Sequence, residues 1–542
     1  MSSMLDNLST ALKYWEKDRM LKFLPILFER LPNARVYLVG GAVRDALLGI
    51  VKKKDFDIVV QGVNGKSLES TLAMIGRVDL VGKTFGVFKF LPTGIRSVEA
   101  IDIALPRRDH AYGTGGYREV DVQSDPALPI EEDLKRRDFT INAMAVEIHP
   151  QRPLSEGRLV DPFGGFIDLR DRLLRTVGDP STRFQEDYSR LLRALRFTCQ
   201  LHLTVEPTTW AALKQGMTHI NDVNESATPP SDEPDRKVPY EIVTKELLKS
   251  FWWDPVLALD IFDQSGAITA LMPELLAMKG CPHPQQYHSE GDVWAHTRLA
   301  LQQLSSDVFQ REFPDDPVTM ETILGTLFHD IGKPATLTTP ELHGTDRYRY
   351  HGHDKVGAQM ASTICTRLKL SSMPKESEQR VSGDSIAWIV SKHLLLLNSA
   401  IEQMRSSTIE KYFFNPHVPG VTLLQVILAD SLATIPDGGE PVMIHFHSMK
   451  RRIQELLKLS TDNGSWRRRG LPAPLVGGDD VMNEFHLTAG PKIGRLLRMT
   501  REQQLQGAIT NRNDAIIFIR DVLTHEPKQR TTHTRHSTIP LA

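Results

Sequence analysis

Residues 38–60 read LVGGAVRDALLGIVKKKDFDIVV, and the fold of the first part of the chain is read from them. Leu38 and Val39 close an apolar run that begins in RVYLVG, Gly40 and Gly41 make a turn, AVRDALLG carries a helical pattern, and FDIVV is a second apolar run. Strand, glycine turn, short helix and strand is the order this pattern predicts. A strand sends alternate side chains to one face, so Asp55 and Asp57 are expected to point together. Two carboxylates side by side are costly unless a cation lies between them.

Working outward, further strand-like runs, VFKFL, VEAIDIAL and MAVEI, all fall before about residue 150, so this part reads as α/β. Paired carboxylates on a strand face suit Mg²⁺, which takes oxygen ligands and bridges to substrate phosphates. A nucleotidyl-transfer site uses such ions to activate an attacking hydroxyl and to stabilise the leaving pyrophosphate. It wants a third carboxylate, and Asp102 in VEAIDIALPRRD is the candidate. Backbone N–H groups at the Gly40-Gly41 turn would cradle a triphosphate, with Arg44 adding charge.

At 542 residues the chain exceeds a single core, and two to four domains are expected. With 65 Lys plus Arg against 67 Asp plus Glu the net charge is -2, so any basic, nucleic-acid-binding surface must be local. Three scattered cysteines, Cys199, Cys281 and Cys365, match neither a disulfide framework nor a thiolate zinc site and fit a reducing compartment. The first twenty residues interleave charges with apolar residues, which excludes a signal peptide or membrane span there, and the protein reads as cytoplasmic. Oligomeric state is not legible. After VDPFGGFIDLRDR the pattern turns helical, starting with FQEDYSRLLRALRFTCQLHL. Residues 221–237, NDVNESATPPSDEPDRK, read as a flexible insertion, and 526–542 as a disordered tail.

Taken together and in order, LVGGAVRDALLG with KKDFDIVV, VGKTFGVFKF, DLKRRDFTINAMA and EDYSRLLRALRF resemble the bacterial class II tRNA nucleotidyltransferases, the CCA-adding enzymes. The resemblance covers roughly the first two hundred residues. It implies a multidomain α+β protein: a polymerase-β-like nucleotidyltransferase α/β head at 1–150 and an all-helical neck at 151–280. Asp55 and Asp57 would hold Mg²⁺ and Asp102 would assist them; Gly40, Gly41 and Arg44 would meet the triphosphate. Arg137 and Asp138 would contact the ribose, with Asn142 nearby and Arg193 among the nucleotide-binding residues. Bacterial poly(A) polymerases share most of these motifs and are the alternative, as is an enzyme adding only CC or only A. A departure is Asp109 after Arg107, where the family commonly has Arg-x-Glu. Residues 108–125 are the loop expected to help switch from C to A, their glycines suiting mobility.

Asp187 and Arg190 in EDYSR are three residues apart, which predicts a shared helix face. A carboxylate only accepts hydrogen bonds and a guanidinium only donates them. Cytosine and adenine both present an amino donor beside a ring-nitrogen acceptor, so one Asp and one Arg can pair with either. Guanine and uracil present the reverse and leave buried groups unpaired. In the resembled family this motif is the protein template, and Glu186 would steady the arginine.

Farther on, His296 in EGDVWAHT, His329-Asp330 in LFHDIGKP, His353 in YHGHDKVGA, His393 in IVSKHLLLL and Asp430 in VILADSLAT form an ordered series. Imidazoles and carboxylates on helices can converge on one or two divalent ions and lower the pKa of bound water. The series resembles the HD phosphohydrolases attached to some CCA-adding enzymes, implying a domain at 281–435 and a helical body at 436–525. His296, His329, Asp330 and Asp430 would be the ligands, joined by His353 and His393, of Ni²⁺, Mn²⁺, Co²⁺ or Mg²⁺. Partners expected from both resemblances are CTP, ATP and the acceptor arm of tRNA, with no membrane.

Overall fold

The computed structural model describes residues 2–51, 55–81, 87–95, 100–111, 113–117, 120–224, 235–374, 376–397, 401–459 and 470–525. Most of the 221–237 insertion, part of the 81–90 motif, residues 112, 118 and 119 of the 108–125 loop and the 526–542 tail lie outside these residues. The chain forms two compact units. One comprises Met1–Lys279 with Thr363–Gly383, the other Gly280–Ser362 with Asp384–Ala542.

In the first unit the strands include β1 (Arg35–Val39), β2 (Asp57–Gln61), β3 (Gly76–Val81), β4 (Val87–Pro92), β5 (Ile101–Ala104), β6 (Arg107–Ala111), β7 (Val120–Ser124), β8 (Ala145–Ile148) and β9 (Arg158–Val160). Seven of them make one mixed sheet in the order β3-β4-β5-β2-β1-β8-β9. Only β2 and β5 run parallel; the other neighbours are antiparallel. Val36, Tyr37, Leu38 and Val39 of β1 are all buried, as a strand covered on both faces requires. One core cluster packs Tyr37, Val39 and Val59 against Ile130, Leu134 and Val177. Trp15 and Phe56 are fully buried and meet edge-on at 5.3 Å, anchoring the approach to β2.

All five strand-like runs of the sequence become strands, β1, β2, β4, β5 and β8. Two differences stand out. The sheet does not end near residue 150, because β9 pairs with β8 beyond it. The segment expected to be a mobile loop contains the antiparallel hairpin β6–β7, pairing Arg107 with Ser124 and Ala111 with Val120. Between these strands, Gly115 O accepts from Tyr188 N (3.1 Å) and Tyr117 N donates to Lys237 O (2.7 Å).

The expected helix through EDYSR is also divided. Asp179 caps the helix Pro180–Glu186, with Pro180 at its first turn. Asp187 then adopts extended backbone (φ -162°, ψ 104°), and a second helix runs Ser189–Leu201. The aspartate competes for a backbone partner here: its Oδ1 accepts from Ser189 N at 2.8 Å. Asp187 and Arg190 therefore do not share one helix face.

The second unit is helical. Gly420–Ala433, GVTLLQVILADSLA, is apolar nearly all round and correspondingly buried, with Val293–Gln303 and Met320–Phe328 packed on it. Asp292 caps the first of these neighbours and a Thr319–Thr322 capping box starts the second. Gly332 is required by close approach, since a Cβ there would lie 2.2 Å from His353 O. It lets the helix His353–Arg367 start beside the His329-Asp330 turn. Among the described residues no helix is long and apolar enough to cross a membrane.

Candidate functional site

The first candidate site is built by strand register. Lys89 of β4 lies opposite Asp102 of β5, Asp102 opposite Asp57 of β2, and Asp57 opposite Val39 of β1. Directly paired residues share a face, so one row carries Lys89, Asp102 and Asp57 to the end of β1, where Gly40 turns the chain into the helix Gly41–Leu47. Gly40 holds φ +71°, and a Cβ on it would stand 2.6 Å from Arg137 Nη1 and 3.7 Å from Asp57 Oδ2. Glycine is thus needed both for the turn and for the approach of the guanidinium.

Asp55 is exposed on the segment entering β2. Burial raises the Asp57 carboxyl to about 6; Arg137 opposes this, while the neighbouring charges of Asp55 and Asp102 add to it. Asp102 is drawn to Lys89, Nζ to Oδ1 2.7 Å, a partner that sequence reading did not single out although it stands in VFKFL. Among the described residues the three carboxylates do not form a group with ligand atoms within 4.8 Å of one another; the groups that do are histidine-rich.

Arg44 is buried and engaged, through Nε and Nη2 with Asp45 Oδ1 (2.8 and 2.6 Å) and through Nη1 with Asn142 Oδ1 (2.6 Å). Asn142 Nδ2 donates to Asp138 Oδ1 at 3.0 Å, and Asp138 Oδ2 accepts from Arg193 Nε and Nη2 at 2.9 and 2.5 Å. Although burial works against its charge, the Arg193 guanidinium and the Asn142 amide hold Asp138 well below the usual carboxylate range. Arg44, Asn142, Asp138 and Arg193 thus form one chain of hydrogen bonds, buried at Arg44, Asn142 and Asp138 and partly exposed at Arg193.

The EDYSR residues adjoin this chain. Glu186 Oε2 accepts from Arg190 Nη1 at 2.5 Å and from Arg183 Nη1 at 2.8 Å. Arg190 Nη1 and Nη2 also reach Arg183 O (3.0 Å) and Arg136 O (3.4 Å). The half-buried Asp187 carboxyl is shifted upward, chiefly by desolvation. Segment 136–138 therefore bonds Arg190 and Arg193 on one side and sets Arg137 against Gly40 and Asp57 on the other.

In the second unit all six ligand candidates converge. His296 Nε2 lies 3.1 Å from Asp430 Oδ1 and 3.3 Å from His329 Nε2. His353 Nε2 lies 3.1 Å from His393 Nε2. Asp330 stands between the pairs, Oδ2 at 3.4 Å from His329 and Oδ1 at 3.5 and 3.8 Å from His353 and His393. Two compact groups result, His296/His329/Asp430 and Asp330/His353/His393.

The outer nitrogens explain the orientation. His329, His353 and His393 each direct Nδ1 at the carbonyl three residues earlier, of Thr326 (2.7 Å), Tyr350 (2.8 Å) and Val390 (2.7 Å). A carbonyl only accepts, so Nδ1 carries the proton and the Nε2 lone pair faces inward. His296 does the same through Glu290 Oε1, 2.8 Å away. Lone pairs brought to 3.1 and 3.3 Å of one another fit a shared cation, the arrangement of histidine ligands backed by outer acceptors. Burial opposes charging His296, but Asp430 and Glu290 outweigh it and lift its pKa to about 9, whereas burial lowers His393 to about 4. Glu290 and Lys333, whose Nζ is 2.6 Å from Asp330 Oδ2, went unnoticed in the sequence, though both stand inside the quoted motifs. His283 and His288 flank the same centre, His283 Nε2 3.0 Å from Lys333 and His288 Nδ1 2.7 Å from Glu290.

A head with a glycine turn beside sheet carboxylates, joined to a helical unit with a histidine-aspartate centre, defines a nucleotidyltransferase-type protein with an HD domain. Residues 36–175 match the Poly A polymerase head domain and residues 303–434 the HD domain. The chain is 34% identical over 381 residues to the "Multifunctional CCA protein" of Nitrosococcus oceani, covering 69% of this chain and 78% of that one. It is 34% identical over 346 residues to the protein of that name from Mannheimia succiniciproducens, covering 63% and 72%. Among solved structures, an apo CCA-adding enzyme shares the fold at a TM-score of 0.56 and 20% identity, over 95% of this chain and 98% of that one. A CCA-adding enzyme in complex with CTP gives 0.55 and 21%, over 95% and 98%. The chain belongs to the multifunctional CCA protein family.

Proposed function

We propose that the chain adds C, C and A in turn to the 3′ end of tRNA, from CTP and ATP, and that its HD centre is a metal-dependent phosphohydrolase acting on 2′,3′-cyclic phosphodiesters. The observation that carries the first part is segment 136–138, which links Arg190 of the base-reading motif to Arg137 beside Gly40 and Asp57.

Asp55, Asp57 and Asp102 are the catalytic carboxylates of this reading; the Asp57 carboxyl, raised to about 6 chiefly by burial and further by the charges of Asp55 and Asp102, is one that a cation would return to its charged form. Bound Mg²⁺ would neutralise phosphate oxygens and activate the attacking hydroxyl. Lys89, 2.7 Å from Asp102 Oδ1, orients that carboxylate. The Gly40-Gly41 amides and Arg137 receive the triphosphate. Arg44, already bound by Asp45 and Asn142, positions Asn142 and the Asp138–Arg193 pair rather than reaching a phosphate. Glu186 presents Arg190 as a donor, and Asp187 supplies the acceptor, so that C and A fit and G and U do not.

Transcripts ending before CCA, after C and after CC, given Mg²⁺ with CTP, ATP or both, test the first activity. Stepwise completion to a single CCA is expected. Long A tails would move the chain to poly(A) polymerases, and C-only or A-only products to the half-enzymes. For the second part, the support is the inward set of four imidazoles and two carboxylates, a mixed donor set that takes Ni²⁺, Mn²⁺, Co²⁺ or Mg²⁺ and there supplies an activated water. Replacing His329 and Asp330 together with alanine should abolish hydrolysis of 2′,3′-cyclic AMP and leave nucleotide addition intact; hydrolysis that persists refutes it.

A further inference from the structure

The base-reading residues and the residues beside the glycine turn come from different parts of the chain, and one side chain joins them. Arg183 lies in the helix Pro180–Glu186, which at seven residues is too short to be stable alone. Its guanidinium donates through Nε to Val177 O at 3.0 Å, through Nη2 to Lys135 O at 2.9 Å, and through Nη1 to Glu186 Oε2 at 2.8 Å and Arg136 O at 3.4 Å. With 12% of the side chain exposed, water competes little for these bonds. Lys135 ends the helix Ile130–Lys135 and Arg136 caps it, so two of the acceptors are carbonyls at a helix C-terminus, which lack helical partners and favour a cation. Val177 is itself laid against the following segment, its N donating to Asp138 O at 3.1 Å. The two residues after the capped carbonyls are Arg137 and Asp138.

On the other side, Glu186 Oε2 also accepts from Arg190 Nη1 at 2.5 Å. One carboxylate oxygen thus lies between two guanidiniums, and the remaining donors of Arg183 are committed to backbone carbonyls. A guanidinium is planar and its donors point in fixed directions, so engaging all these acceptors at once fixes their relative positions. A lysine ammonium is a compact point charge and does not span them. We propose that Arg183 is a positioning residue that sets the spacing between base and triphosphate: it holds Glu186, and through it Arg190, at a fixed offset from Arg137 and Asp138. The inference rests on the reading of Glu186, Asp187 and Arg190 as the base-reading group, and it names a residue outside that group on which selectivity depends. Arg137 keeps partners of its own, Asp133 Oδ2 and Asn142 O, both at 3.4 Å, so the triphosphate side stands without Arg183.

The test uses the full-length protein with Mg²⁺. Transcripts ending before CCA give kcat/KM for CTP against UTP, and those ending in CC give ATP against GTP. Calorimetry without RNA compares CTP with inorganic tripolyphosphate, which has no base. Arg183→Met and the milder Arg183→Lys should each lower both preferences by about tenfold or more and weaken CTP binding, while tripolyphosphate binds as in the parent. Adding Glu186→Gln to Arg183→Met should lower the preferences little further, because the two residues act as one unit. Equal losses for all four nucleotides, a parallel loss of tripolyphosphate binding, or a lysine variant that behaves as the parent would each overturn the positioning role. Glu186→Gln alone separates this outcome from failure of the underlying reading. Preferences left at the parent level by Glu186→Gln overturn the base-reading assignment itself, whereas preferences lost with Glu186→Gln and kept with Arg183→Met overturn only the part given to Arg183. Circular dichroism checks each variant for its helices, and if Arg183→Met does not fold, Arg183→Lys, which keeps the charge, decides the question.

Discussion

Replacing Asp57 with asparagine should stabilise the metal-free first unit while destroying nucleotide addition. Asp57 begins β2 opposite Asp102, and burial with its like-charged neighbours raises its pKa from 3.8 to about 6. A carboxyl with a raised folded-state pKa binds its proton more tightly in the native state. Between the two values the native state holds more protons than the unfolded one, so stability falls as pH rises through that window, and the loss is complete above about 6. A shift of about two units corresponds to up to about 3 kcal/mol. Asparagine cannot ionise and escapes this loss. Urea unfolding in EDTA, read by hydrogen-exchange mass spectrometry of peptides from β1 and β2, should place the variant about 2–3 kcal/mol above the parent at about pH 8, with the difference gone near pH 4. Mg²⁺ should narrow the gap by stabilising only the parent. A variant less stable than the parent at pH 8, or a difference independent of pH, would refute the reasoning.

Further outcomes follow from the same geometry. Gly40→Ala forces an L-residue into φ +71° and a Cβ against Arg137 Nη1, and should cost about 1–3 kcal/mol in the same urea assay together with most nucleotide addition. Glu186→Gln removes the charge that holds Arg190, and competition assays should find preference for CTP and ATP over GTP and UTP reduced by about tenfold or more. Arg193→Met leaves the buried Asp138 short of two donors and should lower the first unit's stability by about 2 kcal/mol by urea titration. If Lys89 serves mainly to hold Asp102, Lys89→Met should weaken addition while Lys89→Arg restores much of it, both read as single-turnover rates.

The glycine turn and the sheet carboxylates were legible because each lies in a short segment whose periodicity decides its geometry, and the HD ligands because their motifs, in order, resemble those of HD phosphohydrolases. RVYLVG and FDIVV read as strands from their short apolar runs, and that reading placed Gly40 at the turn and Asp57 on a strand. What was not legible depends on partners distant in sequence. Lys89 meets Asp102 only through the β4–β5 register, and Arg44 is captured by Asn142 from 98 positions away. The division at Asp187 was hidden because the apolar spacing of FQEDYSRLLRALRF continues across it, while a backbone hydrogen bond to the aspartate breaks the helix there. Hairpin β6–β7 was missed because its polar residues and glycines carry no alternation strong enough to oppose a loop reading.

The three HD histidines held by the carbonyl three residues behind them require no particular neighbouring side chain for their aim. Their orientation comes with the local turn, and substitutions around them leave it intact. His296 has no such insurance, because its aim is written in a separate residue, Glu290. Tolerance to drift is therefore uneven within one centre: a lineage released from selection for the hydrolase would lose the His296 position through either of two codons, and each of the others only through its own.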